Sequence, residues 1–231
     1  MTPLSALPRL LAALLVAATL ALIVGCQTST MLREDGYAAI NDGDWFAAQD
    51  AFQRATRKNP ADGIAHYYLG LSHLRLGDPL AAQLSLERAL ALREDDADLR
   101  PRILDRLADA LYQQQEYEKL THFLGQTAAE SGDTADYLRH ANYLVATGDH
   151  DAAQLAFRKA AFFAPEGDTT ALLAIADFYA SIGDVPNQRR ALQYAYWTDP
   201  QTPGIDDRLR QVGIVPGPTA AAEPPRPELM R

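Results

Sequence analysis

HLRLGDPLAAQLSLERAL, residues 73–90, sets a glycine and an aspartate at 77 and 78 between two stretches of helix-forming residues. Glycine takes the left-handed backbone that stops one helix, and aspartate accepts hydrogen bonds from the free amides that open the next. The dipeptide therefore marks a helix-turn-helix corner. Gly43-Asp44, Gly148-Asp149 and Gly183-Asp184 repeat it, and Gln115-Glu116 falls midway between the second and third, so the corners step by 34, 38, 33 and 35 residues. A repeat of this period points to stacked supersecondary units.

The same residue types recur at the same offsets around each corner. Seven residues before it stand Gly36, Gly70, Ala108, Ala141 and Ala176; nine after it stand Phe52, Leu86, Leu124, Phe157 and Leu192. Ala48, Ala82, Leu120, Ala153 and Gln188 lie between, and Ala55, Ala89, Thr127, Ala160 and Ala195 follow. Small residues let two helices approach, large apolar ones fill the space beside them, and Pro60, Pro165 and Pro200 forbid continuation of the second helix.

This pattern resembles the tetratricopeptide repeat, a 34-residue helical hairpin. The resemblance implies an all-α fold: a right-handed superhelical solenoid of five hairpins at about 29–62, 63–96, 101–134, 134–167 and 169–202. The third unit departs from the pattern. Its corner lacks glycine, Gly132 replaces its closing proline, and residues 97–100 are extra, which predicts a longer linker there. In PGIDDRLRQVG, residues 203–213, Ile205, Leu209 and Val212 share one stripe and predict a capping helix. Residues 214–231, with five prolines and few large apolar groups, predict an extended or disordered tail.

At the front, residues 1–25 carry one positive charge, Arg9, then an apolar run from Leu10 to Val24, the composition of an export signal. Ile23-Val24-Gly25-Cys26 resembles the lipobox of bacterial lipoproteins, in which the cysteine sulfur receives a diacylglyceryl group and the signal is cut before it. Cys26 is the only cysteine, so lipidation accounts for a lone thiol in an exported chain and excludes an intrachain disulfide. A lipidated Cys26, followed by a short linker to residue 31, implies anchoring without a spanning helix. Gln27 rather than Asp after it implies, by the same resemblance, the outer membrane facing the periplasm.

Formal net charge is -9, and no block of Lys or Arg stands out, a poor match to nucleic acid, whose binding rests on phosphate neutralisation. Neither a metalloprotease helix motif, a glycine-rich phosphate loop, paired CxxC nor a nucleophile-elbow serine is present, so the sequence predicts no enzyme, no cofactor and no metal. His66 and His73 lie seven apart; with Arg75 they define the alternative, a small-molecule or metal pocket.

The family resemblance places a partner-binding groove on the first helices of the hairpins. It assigns Tyr37 and Asn41, then Tyr67, Leu71, Leu74 and Arg75, then Asp105, Asp109, Tyr112 and Gln113, followed by Leu138, Asn142, Leu173 and Asp177. Such a groove mixes aromatic and amide groups that can grip a peptide, with acidic groups in the later units. The paired Lys and Asn that clamp a partner's terminal carboxylate in some relatives are missing. The expected function is a lipid-anchored interaction adaptor for a protein or peptide of the cell envelope.

Overall fold

A computed structural model describes residues 28–222. Within them lie eleven α-helices and no strand. They are α1 Ser29–Asn41, α2 Trp45–Lys58, α3 Gly63–Arg75, α4 Pro79–Leu92, α5 Leu99–Gln113, α6 Tyr117–Ser131, α7 Thr134–Ala146, α8 His150–Phe163, α9 Thr170–Ser181, α10 Val185–Thr198 and α11 Ile205–Gln211. Cys26 and the tail beyond residue 222 lie outside the described residues. The chain divides into two compact units, one ending at Gln115 and the other beginning at Glu116.

The corners are built as their sequence demands. At Gly43, Gly77, Gly148 and Gly183 φ is between +75° and +85°. The following aspartate amide donates back to the ending helix, Asp78 to the His73 carbonyl at 2.9 Å and Asp149 to the Leu144 carbonyl at 2.9 Å. The same aspartates then cap the next helix: Asp44, Asp78, Asp149 and Asp184 accept from the amides of Ala47, Ala81, Ala152 and Asn187 at 2.9–3.1 Å. One dipeptide thus satisfies two helix ends.

In the first unit, α1 pairs with α2, α3 with α4, and α5 packs against α4. Phe52 of α2 is fully buried where α1 offers Gly36, and Leu86 of α4 where α3 offers Gly70. Burial of such a side chain contributes about 1.5–3 kcal/mol. Asp62 ties two hairpins together, capping α3 through the Ala65 amide at 3.0 Å while accepting from Ser29 and pairing with Arg33, both of α1. Gln114 closes the unit by donating to the Pro79 carbonyl and the Gln83 side chain.

The second unit pairs α7 with α8 and α9 with α10, and α11 packs on α10. Ile205 and Leu209 of α11 are buried with Leu172, Ala176 and Leu192. The shared hydrogen bond between Thr169 and Thr202, at 3.1 Å, fixes the entry to α9 against the entry to α11.

Four boundaries differ from the sequence reading. α1 begins at Ser29, because Thr28 caps it by accepting from the Met31 amide, so residues 29–31 are helix rather than linker. Leu99 and Arg100 belong to α5, which leaves residues 93–98 as the link. The third unit is divided at its own corner, α5 closing one compact unit and α6 opening the other. Residues 214–222 pack rather than dangle: Ala220 is buried among Leu172, Ala176 and Ala191, and the Ala222 amide donates to the Gln193 carbonyl. Alanine and isoleucine here supply apolar contact that a count of large residues overlooks.

Candidate partner-binding faces

In the first unit aromatic contacts link α1, α2 and α3. The Tyr37 ring lies 4.9 Å from Tyr68 and 5.6 Å from Phe52, and Phe52 stacks on Tyr68 at 5.3 Å. Tyr68 also meets Tyr67 edge-on at 5.0 Å. Offset and edge contacts of this kind contribute about 0.5–1.5 kcal/mol each beyond area. Burial raises the Tyr37 phenol above its ordinary value, with Arg33 opposing the shift.

The Arg102 guanidinium sits 5.2 Å over the Tyr67 ring. Its charge is held by that ring and by hydrogen bonding to Tyr68. Tyr67 is accordingly only 4% exposed. It forms the floor beneath Arg102 and does not offer its ring to a partner, which corrects its assignment as a gripping residue.

Asn41, Arg75, Tyr112 and Gln113 are exposed, whereas Tyr37, Leu71, Leu74, Asp105 and Asp109 are half-buried. Arg75 lies 5.3 Å over the Trp45 ring of α2, and Asp109 accepts from Arg106 at 2.7 Å. Guanidinium, amide and phenol groups of α1, α3 and α5 are thus exposed beside a cluster of packed aromatic rings in this unit.

In the second unit Leu138 and Leu173 are half-buried and Asn142 is exposed. Asp177 is ion-paired with Arg208 of α11, which also donates to the Leu173 carbonyl. The acidic character expected of the later hairpins is therefore offset: Asp177 has Arg208, and buried Asp136 has Arg139. The capping helix supplies a cation that counting along the first helices cannot reveal.

Arg33, Arg102, Arg106 and Arg208 are the site residues that the sequence reading missed. Arg102 stands one residue past the unit's start, as Ile64 and Ala135 do in theirs, so extending the register by one place finds it. Arg208, on a helix outside the repeats, leaves no such signal.

His66, His73 and Arg75 do not converge. The His66 Nε2 lies 3.2 Å from the Pro60 carbonyl, the His73 Nδ1 lies 3.3 Å from the Gln49 amide, and Arg75 covers Trp45. Burial lowers both imidazole pKa values. No group of three or more metal-ligating side chains occurs among the described residues.

Helical hairpins paired through Gly-Asp corners, with small-for-large packing across each pair, define a class of stacked-repeat proteins. The tetratricopeptide repeat profile matches residues 34–97 and 138–204, more than half of the chain, and this chain belongs to the tetratricopeptide repeat family. The gap between the two matches contains the whole of the divergent third unit. A tetratricopeptide repeat protein from Parabacteroides merdae is 20% identical, with 81% of this chain and 73% of that one covered at a TM-score of 0.56. The C-terminal part of a tetratricopeptide repeat-containing protein from Cytophaga hutchinsonii is also 20% identical, at 79% and 74% coverage and a TM-score of 0.56. MamA of Desulfovibrio magneticus, from residue 41 to its end, is 15% identical, at 76% and 97% coverage and 0.54. These likenesses concern the fold. No curated protein sequence matches the chain significantly.

Proposed function

We propose that this chain is an interaction adaptor, held to a bacterial envelope membrane through an acylated Cys26, whose inner face in the first unit binds a protein partner. Stacked helical repeats use extended concave faces for binding in general. The observation that carries the reading is in the first unit, where Tyr37 packs on Tyr68, Arg102 lies over Tyr67, and Asn41, Tyr112 and Gln113 of the same helices are exposed. Amide and phenol groups hydrogen-bond a peptide backbone, and the rings accept apolar side chains.

The envelope role rests on the sequence. No helix among the described residues is long and apolar enough to cross a membrane, and the proposed attachment is the lipid that Ile23-Val24-Gly25-Cys26 predicts. Outer-membrane attachment facing the periplasm, and service in assembly of secretion or pilus machinery, outer-membrane biogenesis or recruitment of cell-wall enzymes, follow from the same resemblance. The non-convergence of His66, His73 and Arg75 disfavours a small-molecule carrier.

The test pairs two variants in cells. Cys26→Ser loses labelled fatty acid and leaves the membrane fraction while its helical circular dichroism is retained. Asn41→Ala/Tyr112→Ala stays on the membrane but no longer co-purifies the crosslinked partner. Acyl label persisting in Cys26→Ser contradicts the anchor, and unchanged partner recovery with the double variant contradicts the face.

A further inference from the structure

The second unit holds a cleft partly lined by α9, the helix that also carries Leu173 and Asp177. There α9 is packed by α8 on one side and α10 on the other, and between those two a cleft of about 170 Å³ opens. Cavities of about 150 Å³ lined by aliphatic groups take a benzene ring, so this space suits one large apolar side chain. Leu172 and Ile175 of α9 form its floor, with Tyr179 and Tyr194 beside them.

Arg158 enters from α8 and Arg190 from α10, both exposed, and neither has a carboxylate within ion-pair distance among the described residues. In a protein of net charge -9, Arg208 and Arg210 of the same unit are ion-paired, and exposed Arg189 donates to the Val212 and Gly213 carbonyls. The amide nitrogen of Asn187, also in the cleft, is committed to Asp184 at 2.6 Å, which leaves its oxygen as an acceptor for a peptide N–H.

We propose that this cleft binds an acidic segment of a protein partner, in which one large apolar side chain fills the slot and a carboxylate on each side of it meets Arg158 and Arg190. The two guanidiniums belong to opposite walls with α9 between them. Asp or Glu residues on each side of the apolar side chain would answer both walls. The site is independent of the first-unit face, so one can fail while the other stands.

Fluorescence anisotropy on the full-length protein in detergent tests it with a fluorescein-labelled, acetylated and amidated peptide, Gly-Asp-Glu-Phe-Leu-Glu-Asp-Gly. The expected result is saturable binding, weakened about tenfold or more by Arg158→Glu/Arg190→Glu and unaffected by Arg57→Glu/Lys58→Glu on α2. Arg158→Gln/Arg190→Gln, checked for an unchanged melting curve, gives the same loss by removing charge alone. Replacing Phe-Leu by Ser-Ser in the probe weakens binding to the same extent. Absence of saturable binding, equal weakening by the α2 pair, or indifference to the Ser-Ser probe would overturn the proposal. So would tighter binding of a probe with amide flanks and a free carboxyl terminus, which would assign the arginines to a chain end.

Discussion

Gly70 shows how closely these helices approach. A Cβ built there lies 2.5 Å from Leu86 Cγ and 3.2 Å from the Ala82 carbonyl oxygen, so both a side chain and a backbone group must yield. Alanine gains about 0.5–1 kcal/mol of helix propensity over glycine, while overpacking costs about 1–3 kcal/mol. Gly70→Ala is expected to destabilise the protein by about 1–2 kcal/mol net, read from urea unfolding. A stability equal to or above that of the parent would mean that Leu86 moves aside freely.

Three histidines make a second prediction at this scale. His66, His73 and His140 all have imidazoles held below their ordinary pKa, chiefly by burial. Arg88 adds to the effect at His66 and Lys159 at His140, while Asp62 and Asp78 oppose it at His66 and His73. The unfolded chain then takes up protons at about pH 6.5, before the folded one does. The contribution of these groups is complete above about pH 6.5 and is lost as pH falls through the depressed folded values. The melting temperature should therefore decline between pH 6.5 and 5, above the range of ordinary carboxylates. His66→Gln, which keeps a donor for the Pro60 carbonyl, should flatten that decline; an identical slope would contradict the assignment.

At the scale of the element, the third corner is the exception. Gln115 has φ +61°, where every other corner uses glycine, and Glu116 makes no capping bond to α6. A left-handed non-glycine residue costs about 1–2 kcal/mol, against about 0.5–1 kcal/mol for the extra unfolded freedom of glycine. Gln115→Gly is expected to raise stability by about 0.5–1 kcal/mol, seen as a higher melting temperature. A lowered one would show that the side chain itself holds the turn.

The helices and corners were legible because each is written in local chemistry. A glycine with positive φ, an aspartate cap and a small residue opposite a large one all sit at fixed offsets, so periodicity exposed them. The tail and the charge pairing were not legible. Ala220 is buried only because α9 and α10 bring Leu172 and Ala191 to it, and Asp177 is paired only because α11 returns Arg208 to α9. Tyr67 reads as a groove aromatic from its register, yet Arg102 covers it from the next hairpin. Register fixes which way a side chain sets out; what lies on top of it is decided by residues about 30 or more positions away.

Over the whole molecule, two compact units each assemble from short-range hairpins, the arrangement in which stability is shared between neighbouring repeats. The first presents an aromatic and amide face, the second a cleft with two arginines that lack carboxylate partners among the described residues. Interaction with another polypeptide is the role we propose for both surfaces, and the acyl group predicted at Cys26 would concentrate it at a membrane. The most direct test is site-specific photocrosslinking in intact cells, with a photoreactive residue at Asn41, Tyr112 or Gln113 and, for comparison, at Arg57 or Lys58. The account predicts a discrete protein adduct from the first three positions and none from the last two. Adducts of equal yield from both sets, or from the α2 positions alone, would contradict it.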